Sequence, residues 1–381
     1  MTRMQEKLFE FRLPPINGKR VRQARELRGM TQVALADALG IDQTMIAHIE
    51  RGTKQPASEL LEALSVELGL PIPLFRRMDA PEFPTGSLLF RSKAGIGKKV
   101  VAQAHAHTEL IFEFVVRLSA SATLIPVKLP LSDDPIEGAR NTRSAMQAED
   151  GPIGNLVRAV ERLGVLVIPL PDLKDCDAFA VWAGPNREYP VIGLVVNKSP
   201  DRVRMNIAHE LGHLVLHKQI AGGTRDQESD AYRFAAELLM PARSIIEDLK
   251  SERLTLFRLA ALKTKWQVSM QALARRAREL QVLSDRQYRY LMKQIASKGW
   301  RTNEPEFRQL KEEKPRALRR LVEVVFGPQP DWKHVGEEMD LNPDFIADVM
   351  SACATSPDQP AGKAPSRPKG EVLRFSNAEQ R

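Results

Sequence analysis

Between Asn206 and His217 the chain reads NIAHELGHLVLH, which sets His209 and His213 four residues apart, with Glu210 between them, inside an apolar run. On an α-helix, side chains four apart differ by about 40° around the axis and about 6 Å along it, so two imidazoles reach one ion. A glutamate in that interval comes within reach of a water at the ion. The spacing makes a zinc site the first expectation for His209, Glu210 and His213. The plainer alternative is a pair of helix histidines beside a solvated glutamate, and the flanking sequence has to decide.

A zinc ion that does chemistry takes three protein ligands and leaves one position open. The next helix offers the third. After a break at Gly222 and Gly223, Thr224 and Gln227 are spaced as a capping box, and QESDAYRFAAELLMP reads as a helix stopped by Pro241. Glu228 lies in its first turn with Tyr232 and Ala235 above it, while Phe234, Leu238 and Leu239 form an apolar stripe. The helix dipole by itself also favours acids there, as Asp226, Glu228 and Asp230 would satisfy, and Asp230 is the fallback ligand. His217 continues the stripe another turn and is expected to support the site rather than ligate. Leu216 and Gln219 stand where a metzincin would need its later ligand, which counts against that class. His105 and His107, two apart on an expected helix, diverge by about 200° and are expected at the surface.

The pair HELGHLVLH and ESDAYRFAAELLMP resembles the ImmA/IrrE metallopeptidase family, with H-E-x-x-H followed by an E-x-x-A helix. The resemblance implies His209, His213 and Glu228 as zinc ligands and Glu210 as catalytic acid/base. Asp230, Ala231 and Tyr232 stand where the family often has Glu-Ala-Asn, a departure that leaves Asp230 open as a ligand. Similarity extends upstream over GPIGNLVRAVERLGVLVIPL, DAFAVW and YPVIGLVVN, which look like the family's helix and small sheet.

Nearer the amino terminus, MTQVALADALGIDQTMIAHIERGTKQP alternates amphipathic helices with short breaks: Thr31 suits an N-cap, Gly40 a turn and Asp42 a second cap. This segment resembles the XRE (Cro/C1-type) helix-turn-helix domain. In such a domain the second helix enters the major groove, which implies Gln43, Thr44 and His48 at base edges. Gln32, Arg51 and Lys54 suit contacts to phosphates. Ala36, Ile41, Ile46 and Ile49 are expected in the core.

Charge is unevenly spread. Residues 1–80 hold 12 basic and 10 acidic side chains, a net of only +2, whereas residues 250–320 hold 19 and 7, a net of +12 against +8 for the whole chain. The latter segment reads as a basic helical extension, most of it an ordinary solvated face. Two cysteines, Cys176 and Cys353, are too few for a disulfide framework, and no apolar run approaches the length of a membrane helix. A cytoplasmic protein with no membrane partner is expected.

The fold class expected is mainly α with a small β-sheet (α+β), in five segments. A five-helix helix-turn-helix domain occupies 14–78, a linker 79–99 and a gluzincin-like metallopeptidase domain 100–244. The basic extension runs over 245–350 and a disordered tail over 351–381. Residues 100–119 read as a helix, 132–152 as a mobile loop, and no internal repeat is evident. Together these readings predict a DNA-binding transcriptional regulator with a zinc (Zn2+) endopeptidase domain. Its partners would be a double-stranded DNA operator and a protein substrate, by resemblance a repressor with an XRE domain, and a homodimer is plausible on symmetric half-sites. The rival is a non-proteolytic regulator or antitoxin-like module whose zinc fold senses or scaffolds.

Overall fold

A computed structural model of the chain describes residues 13–86, 97–148, 150–171, 173, 176–218, 224–301, 304–305 and 310–355. The expected tail lies largely outside the described residues, as do Gly222 and Gly223. Helices dominate, around one three-stranded sheet.

Five helices form the amino-terminal unit: α1 (Gly18–Leu27), α2 (Gln32–Leu39), α3 (Gln43–Glu50), α4 (Ser58–Leu68) and α5 (Ile72–Phe75). Thr31 caps α2 by accepting from the Ala34 amide, and Gly40, at φ +65°, makes the left-handed turn into α3. Asp42 is extended, as an N-cap should be, but its side chain makes no capping bond, contrary to expectation. Val21, Leu35, Ile46, Ile49, Leu64 and Phe75 fill the core. Gly18 is required by close approach, because a Cβ there would lie 2.1 Å from the Ile49 carbonyl oxygen.

The next elements are α6 (Lys98–Leu118), α7 (Pro135–Ala145) and α8 (Leu156–Arg162), followed by β1 (Leu166–Leu170), β2 (Ala178–Ala183) and β3 (Tyr189–Val195). Strand order is β1-β3-β2, with β1 parallel and β2 antiparallel to β3. Both faces are buried, which is why all three strands read as unbroken apolar runs. Along β2 the side chains alternate between two cores. Ala178, Ala180 and Trp182 join the core on one face, and Phe179, Val181 and Ala183 join the other. The Phe179 ring crosses β3 at Gly193, where a Cβ would approach within 2.5 Å.

Beyond the sheet come α9 (Pro200–Leu216), α10 (Arg225–Leu239), α11 (Ala242–Lys250), α12 (Leu256–Trp266), α13 (Met270–Glu279) and α14 (Asp285–Ser297). All contribute to the first core, so the expected extension from 245 is, through α14, part of the same body as the zinc-motif helix. Then α15 (Ala317–Phe326), α16 (Trp332–Glu338) and α17 (Pro343–Ser351) return to the other core, shared with α6 and the amino-terminal unit.

Three further expectations need correction. Residues 132–152 are not a loop throughout: Asp134 accepts from the amides of Ile136 and Glu137, Pro135 starts the helix, and α7 runs to Ala145. Its buried face is made of small residues and Arg143, not of the large apolar side chains that betray a helix in sequence. The linker is packed where it is described. Phe83 is buried against His105 and Phe112, and the Glu82 carbonyl accepts from the Gly184 amide at 2.8 Å, just past the end of β2. His107 is a core residue, not a surface one, with Nε2 3.1 Å from the Pro169 carbonyl oxygen.

Buried charges tie the two ends together. Arg20 of α1 donates to both oxygens of Glu113 on α6, at 2.6 and 3.0 Å, and Arg77 spans from Glu113 to Asp340 at 3.1 Å each. Removing one partner of such a set strands the other in low dielectric. Glu113→Ala is expected to cost about 3–5 kcal/mol, read from the urea midpoint; a loss near zero would mean that water compensates Arg20. Burial pushes the His107 imidazole down to about 4 from 6.5. Its folded pKa is therefore depressed, and the stability linked to its neutral form is complete above 6.5 and lost as pH falls towards 4. Relative to a His107→Gln variant, the wild type should lose up to about 1.4 kcal/mol per pH unit in that window, measured by chemical unfolding at several pH values.

Candidate metal centre and nucleic-acid interface

Helix α9 begins at Pro200 and lays its apolar side on the sheet, with Ile207, Leu211 and Leu214 in the core. Its other neighbour is α10, and the two helices approach at Gly212. A Cβ there would lie 3.1 Å from Phe234 Cδ1 and 3.2 Å from the Ala231 Cα and carbonyl oxygen. Small residues on both sides let the axes close in. The Thr224–Gln227 capping box is formed in both directions, which fixes where α10 starts and so how Glu228 is presented.

His209 Nε2 and His213 Nε2 are 3.2 Å apart, and the Glu228 carboxylate straddles them, Oε2 at 3.3 Å from His209 and Oε1 at 3.3 Å from His213. Ligands of a tetrahedral ion with bonds of about 2.0–2.1 Å stand about 3.3 Å apart. The donor triangle thus has the size of one face of a zinc tetrahedron, and two imidazoles with one carboxylate are a suitable donor set. Among the described residues this is the one group of three or more histidine, cysteine or acidic side chains able to hold a metal ion. Both histidines are buried, whereas the Glu228 side chain is 37% exposed, so the site opens on that side.

Hydrogen bonding to His209 and then to His213 holds the Glu228 carboxyl below the usual carboxylate range. His217 Nδ1 lies 3.3 Å from His213 Nδ1, and burial, followed by the nearby His213, pushes the His217 imidazole down to about 4. It thus lies against the ring nitrogen of His213 that faces away from Glu228. Asp230, two residues beyond Glu228, instead accepts from Arg233 at 3.3 Å. Glu210 is 1% exposed, buried on α9 between the two histidines in sequence.

Tyr232 was expected near the site from its spacing to Glu228, whereas Arg275 was not foreseen from the sequence. The Tyr232 ring centroid stands 4.4 Å from that of His209, and Arg275 of α13 lies 5.4 Å from the Tyr232 ring. Tyr232 sits one turn after Glu228, a spacing that signals a shared face, but nothing in the local pattern signals Arg275.

In the amino-terminal unit Gln43, Thr44 and His48 are exposed on α3, with Arg51 and Lys54 exposed after it. Gln32 is half-buried and engaged at both ends. Its amide donates to Glu50 at 2.8 Å and accepts from Gln43 at 2.8 Å, while Arg25 pairs with Glu50 at 2.6 Å. A buried ion pair therefore positions Gln43 through Gln32. His48 Nδ1 lies 2.9 Å from the Thr53 hydroxyl, and Arg51 Nε donates to the Ala47 carbonyl.

Comparison with known proteins accords with both halves. Residues 160–278 match the IrrE N-terminal-like domain of the peptidase M78 family, and residues 21–75 match the helix-turn-helix family. A curated relative, the uncharacterized HTH-type transcriptional regulator YazB of Bacillus subtilis (strain 168), is 40% identical over 45 residues, a match that covers 12% of this chain and 65% of the relative. The chain thus spans just under two thirds of that relative's length. A crystal structure of Bacillus thuringiensis PlcR with the peptide PapR7 and DNA aligns over 74% of this chain and 92% of that one, at 12% identity; its TM-score of 0.15 is too low for structural argument. The chain therefore combines a helix-turn-helix domain of the XRE type with an IrrE N-terminal-like domain of the peptidase M78 family.

Proposed function

We propose that this chain is a DNA-binding transcriptional regulator whose second domain is a zinc-dependent endopeptidase acting on a regulatory protein. The observation that carries the enzymatic half is the donor triangle of 3.2–3.3 Å edges, with the buried Glu210 next to His209 in the sequence. His209, His213 and Glu228 would hold the ion, with His217 orienting His213. When bound there, zinc supplies a Lewis acid that polarises a peptide carbonyl and makes water acidic enough to deprotonate near neutral pH. Glu210 is the base that accepts the proton of the attacking water and then delivers it to the leaving amine. Tyr232, whose ring lies against His209, would donate a hydrogen bond to the oxyanion as it develops.

Gln43, Thr44 and His48 form the reading face on α3, and Arg51 and Lys54 hold phosphates. Gln32 takes a different part from the one its sequence position suggests, as the brace of Gln43. A protein with both units can bind an operator and cut a repressor bound beside it.

Glu210→Gln should retain one equivalent of zinc by elemental analysis and keep operator binding, yet lose at least about 100-fold in proteolysis, followed as new amino termini by mass spectrometry. Unchanged cleavage would remove Glu210 from the mechanism, and normal induction by the variant in cells would favour the sensing reading. Glu228→Ala should abolish tight zinc binding, whereas Asp230→Ala should leave it intact. For the first domain, Gln43→Ala should cost about 1–3 kcal/mol at the specific operator with little change on random DNA, and Arg51→Ala should weaken both alike and flatten the salt dependence. Fluorescence anisotropy at several salt concentrations distinguishes the two.

A further inference from the structure

Residues 331–351 reproduce the helix-turn-helix of residues 31–51 at an offset of 300, although the two stretches share only the identities Ile46 with Ile346 and Ala47 with Ala347. Asp331 caps α16 by accepting from the Lys333 amide, as Thr31 caps α2. Val335 and Gly336 are buried where Leu35 and Ala36 are. Asp340 holds φ +43° in the place of Gly40, a left-handed conformation uncommon for a residue with a Cβ. The turn then closes with the same bond: Leu341 N donates to Gly336 O at 2.9 Å, and Ile41 N to Ala36 O at 3.0 Å. Asn342 caps α17, and Ile346 and Val349 are buried where Ile46 and Ile49 are. The exposed positions also correspond, Asp344, Asp348 and Ser351 standing where Thr44, His48 and Arg51 stand.

The charge differs in degree: residues 31–51 carry three acids and one base, Arg51, for a net of −2. Residues 331–351 carry six acids and one base, Lys333, for a net of −5, and an acidic helix face repels phosphates. The turn is already occupied, because Arg77 and Arg117 donate to the Met339 carbonyl and reach Asp340. The outer face is not: among the described residues Glu337, Glu338, Asp344 and Asp348 make no ion pair, and all four are exposed. A complementary face exists on the same chain. Arg275, Arg278, Arg286, Arg289 and Lys293 of α13–α14 are exposed, and Arg286 and Lys293 have no ion-pair partner among the described residues.

We propose that α16–α17 is a second helix-turn-helix unit turned from DNA to protein recognition, whose acidic outer face docks on the basic α13–α14 face of a second copy of this chain. Two such contacts related by a two-fold axis close a dimer, and opposite charge sets its register and speeds its formation. The proposal is independent of the peptidase reading.

Sedimentation velocity of the full chain without DNA tests it. The wild type should be dimeric at about 0.1 M salt and dissociate towards about 0.5 M, as screening shortens the reach of the charges. The double variants Asp344→Lys with Asp348→Lys, and Arg286→Glu with Arg289→Glu, should each be monomeric alone. Mixed in equal amounts they should form a heterodimer, because both contacts are then again between opposite charges. Melting curves matching the wild type verify folding, and the milder pair Asp344→Asn with Asp348→Asn, which adds no repulsion, should weaken the dimer by about tenfold. A monomeric wild type at low salt, a dimer indifferent to either reversal, or well-folded variants that fail to pair on mixing would each overturn the proposal.

Discussion

The approach of α9 to α10 at Gly212 is the contact on which the candidate site depends. Two histidines four apart on one helix define only two corners of a coordination sphere, and the third must come from an element that chain topology brings alongside. With no Cβ at 212, Phe234 and Ala231 settle onto α9, and the Glu228 carboxylate arrives 3.3 Å from each imidazole. A larger side chain at 212 would push α10 outward, and an ångström or two of displacement opens the triangle beyond what a small cation spans. The geometry of the centre is thus a consequence of backbone packing, refined by the capping box that starts α10 and by His217 behind His213.

Burial of both sheet faces explains how one chain joins its two halves. The face towards α9 belongs to the body that carries the metal-centre residues, and the opposite face belongs to α6, the helix on which the amino-terminal unit rests. A strand such as β2, alternating residue by residue between the two cores, makes each body part of the other's support. At the seam, the buried ions Arg20 and Glu113 and the half-buried Arg77 and Asp340 satisfy one another. Such a set adds little to stability compared with apolar packing of the same volume, but it is unforgiving of any other arrangement, because a shift strands a charge. It therefore sets how the amino-terminal unit sits on α6. The same cluster clamps the turn of the carboxy-terminal helix pair, so three parts of the sequence meet at one group of charges.

How much was legible in the sequence follows from the range of each interaction. Periodicity, capping and i, i+4 spacing are local, and they placed α2, α3, α9 and α10, the Thr224–Gln227 box, and His209 with His213 on one helix face. Where local signals were weak the reading went astray. Helix α7 buries small residues and an arginine in place of a stripe of leucines, and the stretch from 79 is held by scattered ties, among them the Phe83 ring and a backbone bond to Gly184 just past β2. His107 looked solvated because nothing nearby in sequence announces the Pro169 carbonyl that it meets. The repeat at 331–351 escaped notice because a helix-turn-helix constrains burial and one left-handed residue, not identity, so two stretches can share a shape with almost no side chains in common.

The sequence by itself determined α2, α3, α9 and α10, the turn at Gly40 and the donor types available to a metal, since each depends on neighbours within a few residues. Tertiary structure decided that Glu228 and not Asp230 faces the histidines, that Gln32 braces Gln43 against Glu50, and that an acidic helix pair at the far end of the chain repeats the fold of its beginning. Those outcomes rest on contacts between residues distant in the chain, whose distances are set only once close-packed helices and buried charges have excluded every other arrangement.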